Sequence, residues 1–291
     1  MDAFSAANRR VVERALGPEH AERLVALSAE AGWNQVAADW RFMLQHGSGI
    51  GMTDEAGAFV ASALALPLAP RLSWLSMVLT TKSWRGRGIG THLLRRCIDT
   101  VRARGAAAGL DATELGRPVY LPLGFADLYT LRRWHLETAP RPSSVPAGVR
   151  LRRMAASDIH AVAAYDAPRS AMERGAVLAH LQGRAPYLAF VAEAGGEIVG
   201  FVLGRDGRIA HHIGPIVAES EEIALALAAQ AGIAAAPPFI VDVPERHPGV
   251  RRWLEAAGAV TPRGFTRMLL GDAPGLADNA RIFAISGPEL A

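Results

Sequence analysis

Ten residues, Ala139 to Gly148 (APRPSSVPAG), separate two stretches of this chain in which the hydrophobic spacing spells the same order of elements. That order is helix, helix, hairpin, strand, helix, strand, helix. Amphipathic helices alternating with short strands must cover a sheet, so the repeat restricts the chain to a mixed α/β class. The expectation is two tandem α+β domains, each a mostly antiparallel sheet flanked by helices. Residues 1–138 form the first, 139–148 the linker and 149–291 the second.

In the first stretch, Pro18 to Ala31 and Gln35 to Gln45 read as helices, with Trp33 and Asn34 between them. Ile50 to Thr53, the turn Asp54-Glu55-Ala56-Gly57 and Ala58 to Leu68 read as a hairpin, and Leu72 to Thr80 as a third strand. Thr91 to Arg104 has Leu93, Leu94, Cys97, Ile98 and Val101 on one helical face, and Gly105 is placed to end it. Strands at Ala107 to Ala112 and Leu128 to Leu136 flank a helical turn near Pro118 to Leu123. After the linker, Asp158 to Tyr165 and Ala171 to Gln182 read as helices, and Tyr187 to Glu193 with Glu197 to Gly204 as a hairpin. Ala210 to Ala218 reads as a strand, Ser220 as the cap of a helix from Glu221 to Ala231, Phe239 to Val243 as a strand and Gly249 to Ala257 as a helix.

Composition excludes several classes. Half of the 291 residues are hydrophobic and 20% are charged, which rules out disorder and fibres. The longest charge-free run, Ile223 to Val241, is alanine-rich and broken by Gly232, Pro237 and Pro238, so no membrane span is expected. Positions 1–17 lack the apolar core of a secretory signal, and the single cysteine, Cys97, fits a reducing compartment; a cytoplasmic location is expected. A net charge of +3 gives no case for nucleic acid, and Lys82 is the only lysine. The histidines have no metal-ligand spacing: His211 and His212 are neighbours on an expected strand and point to opposite faces. No metal is expected.

The segment with readable chemistry is Trp74 to Thr91 (WLSMVLTTKSWRGRGIGT). A strand ends, the loop Arg85-Gly86-Arg87-Gly88-Ile89-Gly90 follows, and a helix begins at Thr91. Such a loop presents backbone N–H groups at the positive end of a helix, a cradle for phosphate oxygens, and Arg85 and Arg87 add fixed charge. A Walker loop would need Gly-Lys-Ser/Thr, and a dinucleotide fingerprint would need glycine where Thr91 stands.

Arg85-x-x-Gly88-x-Gly90 resembles the pyrophosphate loop of the GNAT superfamily of acyl-CoA-dependent N-acetyltransferases. Downstream, Tyr120-Leu121-Pro122-Leu123-Gly124-Phe125 is similar to the Tyr-x-x-x-Gly-Phe segment of that family. The resemblance covers most of residues 20 to 137. It implies acetyl-CoA as co-substrate, bound by Arg85, Gly86, Arg87, Gly88, Ile89, Gly90 and Thr91, with the amides of Val78 and Leu79 on the pantetheine arm and thioester carbonyl. It also implies Tyr120 as general acid to the departing thiolate, whose reference pKa is roughly 8.5. Two positions depart from the common pattern: Thr81 stands where many relatives have proline, and Ala112-Thr113-Glu114 where they have asparagine.

On the acceptor side, Gly32-Trp33-Asn34-Gln35 and Asp39-Trp40 resemble a segment of a tandem subgroup of the family. Trp33, Asn34, Asp39 and Trp40 are substrate candidates for a cationic or aromatic-faced small molecule; the equal alternative is core packing for the two tryptophans and a surface position for Asp39. Asp39, Glu55, Asp111 and Glu114 are the available bases, with none assigned. In the second half the matching strand runs into Glu219-Ser220-Glu221-Glu222, whose carboxylates repel a pyrophosphate. That half is therefore expected to be a degenerate GNAT domain. Asp166, Arg169, Arg205 and Asp242 either help close the acceptor pocket or a separate ligand site, or make ordinary salt bridges and turns.

The reading that results is an N-acetyltransferase acting on the amine of a small molecule, with no nucleic acid and no membrane as partner. Its alternatives are a non-enzymatic acyl-CoA sensor and a protein N-acetyltransferase.

Overall fold

The structure is a computed structural model that describes residues 5, 6 and 9–291; the sequence reading of positions 1–4, 7 and 8 lies outside the described residues. Two compact units divide between Leu110 and Asp111.

The first unit carries β1 (Val12–Leu16), α1 (Ala21–Glu30), α2 (Ala37–His46), β2 (Ser48–Thr53), β3 (Phe59–Ala69), β4 (Leu72–Thr80), α3 (Ile89–Ala103) and the start of β5 (Ala107–Thr113). β1 to β4 pair in chain order, each antiparallel to the next, and β5 joins β4 in parallel. The core is built on β3, buried on both faces over most of its length, with Trp40, Met43, Leu64, Trp74, Leu93 and Leu94 among its fully enclosed side chains. α3 turns inward the face expected of it, Leu93, Leu94, Cys97, Ile98 and Val101. Burial pushes the Cys97 thiol up to about 12, so it packs as a small apolar group.

Two features of β4 shape its far end. Ser62 stands opposite Leu79 and Leu64 opposite Ser76, so Met77 and Val78 together face Ala63 across a β-bulge. Met77 has φ +51°, and its carbonyl accepts from Ser62 Oγ at 2.7 Å. On the other side, the parallel register with β5 runs Leu72–Ala107, Ser73–Ala108 and Trp74–Gly109 and goes no further, while β4 continues to Thr80. Gly109 is required at the last pair, because a Cβ there would stand 2.4 Å from the buried Trp74 ring.

The second unit begins with the rest of β5, then α4 (Arg117–Tyr120), β6 (Ala126–Leu136), β7 (Arg150–Arg153), α5 (Ile159–Ser170), α6 (Gly175–Arg184), β8 (Phe190–Ala194) and β9 (Glu197–Arg205). It continues with β10 (His211–Ala218), α7 (Glu221–Ile233), β11 (Phe239–Pro244), α8 (Pro248–Ala256), β12 (Val260–Leu270) and β13 (Ile282–Ala284). Its strands run in the order β12-β6-β11-β10-β9-β8-β7, with β13 also on β10; only β10 and β11 are parallel. β6 pairs through residues 131–136 with β11 and through 126–135 with β12, which is why the compact units part at residue 110, ahead of the Pro- and Ser-rich segment 139–148. α7 takes up most of the charge-free run and lies buried through Ile223, Ala224, Leu227, Ala228 and Ala231 against Val202, Phe239 and Leu254. Among the described residues, no helix is long and apolar enough to cross a membrane.

The elements deviate from the sequence reading where local signals are weak. The helix expected from Ala171 starts at Gly175, because Ala171 sits at φ +57° and breaks the turn; α5 runs on to Ser170 through Pro168. The strand expected from Tyr187 starts at Phe190, since Pro186–Leu188 is a tight helical turn. β1, β7, β12 and β13 had no periodic signal: Arg150–Arg153 reads RLRR with no buried residue, and β12 is interrupted by Pro262, Arg263 and Gly264.

Gly109→Ala is expected to destabilise the protein by about 1–3 kcal/mol through the clash with Trp74. Gly183→Ala, where nothing lies within 4 Å of the new methyl, should shift stability by no more than about 0.5 kcal/mol. Urea melts of both variants check the difference, and equal midpoints would contradict the packing argument.

Candidate functional site

The loop after β4 is fixed at its base by main-chain and aromatic contacts. Thr81 N–H donates to the Val60 carbonyl at 2.9 Å, a bond that proline at this position would lose. Trp84 N–H donates to the Thr81 carbonyl at 2.9 Å, and the buried Trp84 indole carries the Arg87 guanidinium 4.8 Å from its ring centre. Arg85 Nε donates to the Thr80 carbonyl at 3.0 Å, so its side chain folds back along the strand end.

Gly86 (φ +73°) and Gly88 (φ +76°, ψ −2°) alternate with ordinary residues, and left-handed backbone at both positions is what glycine alone adopts without strain. Gly88 is the N-cap of α3, whose first described backbone bond runs from His92 N–H to the Gly88 carbonyl at 2.9 Å. The amides of Ile89, Gly90 and Thr91 precede that bond and stand at the positive end of a 15-residue helix with no acidic residue in its first turn. Glu13, the carboxylate near this helix, is engaged by His92 at 2.9 Å and Arg96 at 3.2 Å. The structure thus brings Arg85, Gly86, Arg87, Gly88, Ile89, Gly90 and Thr91 into one cationic, amide-lined turn. Val78 and Leu79 lie at the bulge immediately upstream, on the stretch of β4 that has already left β5.

The remaining candidates sit as follows. Tyr120 closes the one-turn helix α4, half-buried, its ring 5.8 Å from that of Phe125. Its ring also lies against Gly116, where a Cβ would stand 3.0 Å from Cε2. Burial pushes its hydroxyl up to about 12. Trp40 is fully buried with its indole N–H donating to Ser28 Oγ at 3.3 Å, which is a core position. Asp39 is buried rather than at the surface, and accepts from Val36 N–H at 2.8 Å at the start of α2. Asn34 is buried and Trp33 half-buried in the turn between α1 and α2. Of the other carboxylates considered as bases, Glu55 accepts from Arg10 N–H at 3.3 Å, and Glu114 is exposed. Asp111 is held by Arg267 through two bonds of 2.8 Å. Burial raises the Asp111 carboxyl and Arg267 opposes that rise.

Of the four polar residues of the second unit singled out from sequence, Asp166, Arg205 and Asp242 are buried in ion pairs and Arg169 is in a half-exposed one. Asp166 grips Arg174 at 2.8 and 2.9 Å, Asp242 grips Arg133 at 2.8 and 2.7 Å and accepts from His212 Nε2 at 3.1 Å, and Arg205 pairs with Glu289. Arg169 lies over the Tyr165 ring at 3.6 Å and bonds Glu219. Arg133, Arg174 and Glu289 escaped the sequence reading, and His212 was read there only as a strand residue. The signal that exposes them is a polar residue amid apolar ones, as His212 is beside Ile213. The turn after β10 uses its own side chains on the helix starts beside it. Ser220 Oγ caps α7 at Ile223 N–H, 3.4 Å, and Glu221 Oε1 takes the amides of Gly249 at 2.9 Å and Val250 at 3.1 Å. A carboxylate of the chain occupies the start of α8.

Comparison with known proteins bears on the family and the fold. A family model described as "Acetyltransferase (GNAT) family" matches residues 16–125, and one described as "Acetyltransferase (GNAT) domain" matches residues 162–284. The chain is 24% identical over 233 residues to the uncharacterized N-acetyltransferase YitH of Bacillus subtilis (strain 168), covering 80% of this chain and 82% of that one. Its fold is similar to a Pyrococcus horikoshii protein provisionally described as an acetyltransferase, with TM-score 0.79, 20% identity and coverage of 96% and 95%. It is also similar to a tandem GNAT protein from the clavulanic acid biosynthesis pathway, with TM-score 0.63, 14% identity and coverage of 89% and 98%.

The buried histidines give a pH dependence. Burial lowers the basicity of His212 and His247 below the ordinary 6.5, so the folded chain holds them neutral while the unfolded chain protonates them. Stability is therefore full above about pH 6.5 and falls as the pH drops through the lower folded values. Melting temperatures measured from pH 8 to pH 5 should decline, and less steeply for His212→Gln; equal slopes would contradict the assignment.

Proposed function

We propose that this chain, which belongs to the GNAT superfamily of acyltransferases, transfers an acetyl group from acetyl-CoA to the amine of a small molecule. The observation that carries the proposal is the turn at residues 85–91, with two left-handed glycines, two arginines and three amides at a helix start. Those groups suit a diphosphate in charge and in hydrogen-bond capacity. Residues Arg85 to Thr91 would hold the nucleotide end of acetyl-CoA, and the amides of Val78 and Leu79 its pantetheine arm and carbonyl oxygen. When bound, the co-substrate supplies a thioester carbonyl that a neutral amine attacks directly and a thiol as leaving group.

The chain's own residues then have three tasks. Amides near the bulge hold the carbonyl oxygen as negative charge grows on it, which favours the transition state over the ground state. Tyr120, whose hydroxyl burial pushes up to about 12, stays protonated throughout the neutral range, so its O–H is present as a hydrogen-bond donor for the leaving sulfur. A carboxylate or a water chain takes the proton of an acceptor amine whose reference pKa is about 10.4. Asp39 and Asp111 are already committed to a helix start and to an ion pair, which favours water for that last task.

Thiol release from acetyl-CoA across a panel of small amines tests the reading. Turnover is expected with at least one amine, and Tyr120→Phe should lower kcat by roughly 10²–10⁴-fold with little change in KM for acetyl-CoA. Arg85→Glu should raise that KM by about tenfold or more while leaving the melting temperature unchanged, because the side chain is exposed. Binding of acetyl-CoA without turnover on any amine would establish a sensor instead, and turnover on peptide amines alone a protein-modifying enzyme.

A further inference from the structure

Tyr120 reaches its place on a segment that buries little of itself. Of the described residues 113–125 only Phe125 is buried, and the apolar side chains Leu115, Val119 and Leu121 are exposed. α4 is a single turn, closed by Leu121 N–H on the Arg117 carbonyl, and one turn in isolation loses more backbone entropy than its hydrogen bond returns. Other contacts must hold it. On entry, Gly116 N–H donates to the carbonyl and to Oγ1 of Thr113, at 3.0 and 3.1 Å. On exit, Phe125 N–H donates to the Tyr120 carbonyl at 3.4 Å.

A side-chain link runs from the turn to the strand that follows. Arg117 Nε donates to both oxygens of Asp127, at 3.1 and 3.0 Å, and Nη2 donates to Oδ2 at 2.5 Å. Several bonds from one planar guanidinium to one carboxylate fix orientation as well as distance. Asp127 stands on β6 opposite Met268 of β12, and Met268 has no exposed surface. The neighbouring Arg267 holds Asp111 of β5, ahead of the segment, through two bonds of 2.8 Å. Two successive residues of β12 therefore support the Tyr120 segment at both ends. Gly116 lies against the ring: a Cβ there would stand 3.0 Å from Tyr120 Cε2, 3.4 Å from its hydroxyl oxygen and 3.2 Å from Thr113 Oγ1. Its backbone is right-handed, φ −81° and ψ −37°, so alanine fits the main chain and the side chains around it would have to give.

We propose, resting on the reading of Tyr120 as proton donor, that Gly116 and the Arg117–Asp127 pair are positioning residues for its hydroxyl. The pair holds the turn that carries the ring, and the absent side chain at 116 leaves the ring its seat. All three act on the reaction only through Tyr120. A donor displaced by a fraction of an ångström loses part of its rate, since misplacement by about 1 Å costs on the order of 10²-fold. The pair is solvated, with side chains 41% and 38% exposed, and pairs so placed contribute little to global stability. Its removal is therefore felt locally.

The test makes two measurements on the whole chain. In the thiol-release assay, with an amine that the parent protein accepts, Arg117→Ala and Asp127→Ala should each lower kcat by about tenfold and Gly116→Ala by about threefold or more, with KM for acetyl-CoA within about twofold of the parent. Placed in the Tyr120→Phe protein, the same substitutions should lower kcat no further, because the group they act through is gone. Without co-substrate, amide exchange at Val119 and Leu121 should run about tenfold faster in Arg117→Ala than in the parent, while β12 exchanges as before. Unchanged exchange at 119 and 121, unchanged kcat in any of the three variants, or the same loss of kcat in the Tyr120→Phe background would each overturn the proposal. A Tyr120→Phe protein as fast as the parent, or no turnover on any amine, would instead overturn the reading beneath it, and the proposal with it.

Discussion

Backbone N–H and C=O groups must find partners, and the places where two parallel strands separate put that demand at its highest. In the first unit β4 leaves β5 at a pair that depends on the Trp74 ring resting where Gly109 has no side chain. The bulge at Met77 and Val78 follows, then the strand end at Thr80, then the glycine turn. The path ends at the amides at the start of α3. The chemistry proposed for this half is placed along that path, from the bulge to the helix start.

The second unit faces the same demand where β10 leaves β11 and meets it with its own atoms. β13 supplies the strand, Gly214 the close approach, and Glu221 the acceptor for the first amides of α8. Around it, Asp111–Arg267, Asp166–Arg174, Asp242–Arg133 and Glu289–Arg205 are each sealed from water. Pairs of this kind contribute little net stability compared with apolar side chains of the same volume, while a lone survivor of any of them is costly. Three of them link segments distant in sequence, 111 to 267, 133 to 242 and 205 to 289, and so fix register there, while Asp166–Arg174 ties the end of α5 to the turn before α6.

Much of this was legible in the amino-acid order. The apolar stripe of α3, the glycine turn, the Ser220 cap and the alanine-rich helix α7 all follow from local spacing, because each is decided by neighbours within a turn or two. What escaped is decided at long range. RLRR at 150–153 becomes a strand only because β8 lies beside it, and Ile282–Ala284 only because β10 has an open edge. The partners of Arg205 and Asp242 lie 84 and 109 residues away, so no window of sequence reveals them, and Arg174 meets Asp166 only because the chain turns at Ala171. Trp33 and Trp40 were open between packing and binding; the structure places Trp40 inside the core with its N–H already used.

On the function proposed, one turn of this protein, at residues 85–91, binds the diphosphate of coenzyme A and the second unit binds none. Isothermal titration of the whole chain with coenzyme A decides between one site and two. Saturation at one ligand per chain is expected, with binding abolished by Gly88→Glu and unaffected by Glu221→Gln. Saturation at two, or the same heat from the Gly88→Glu protein, would contradict it.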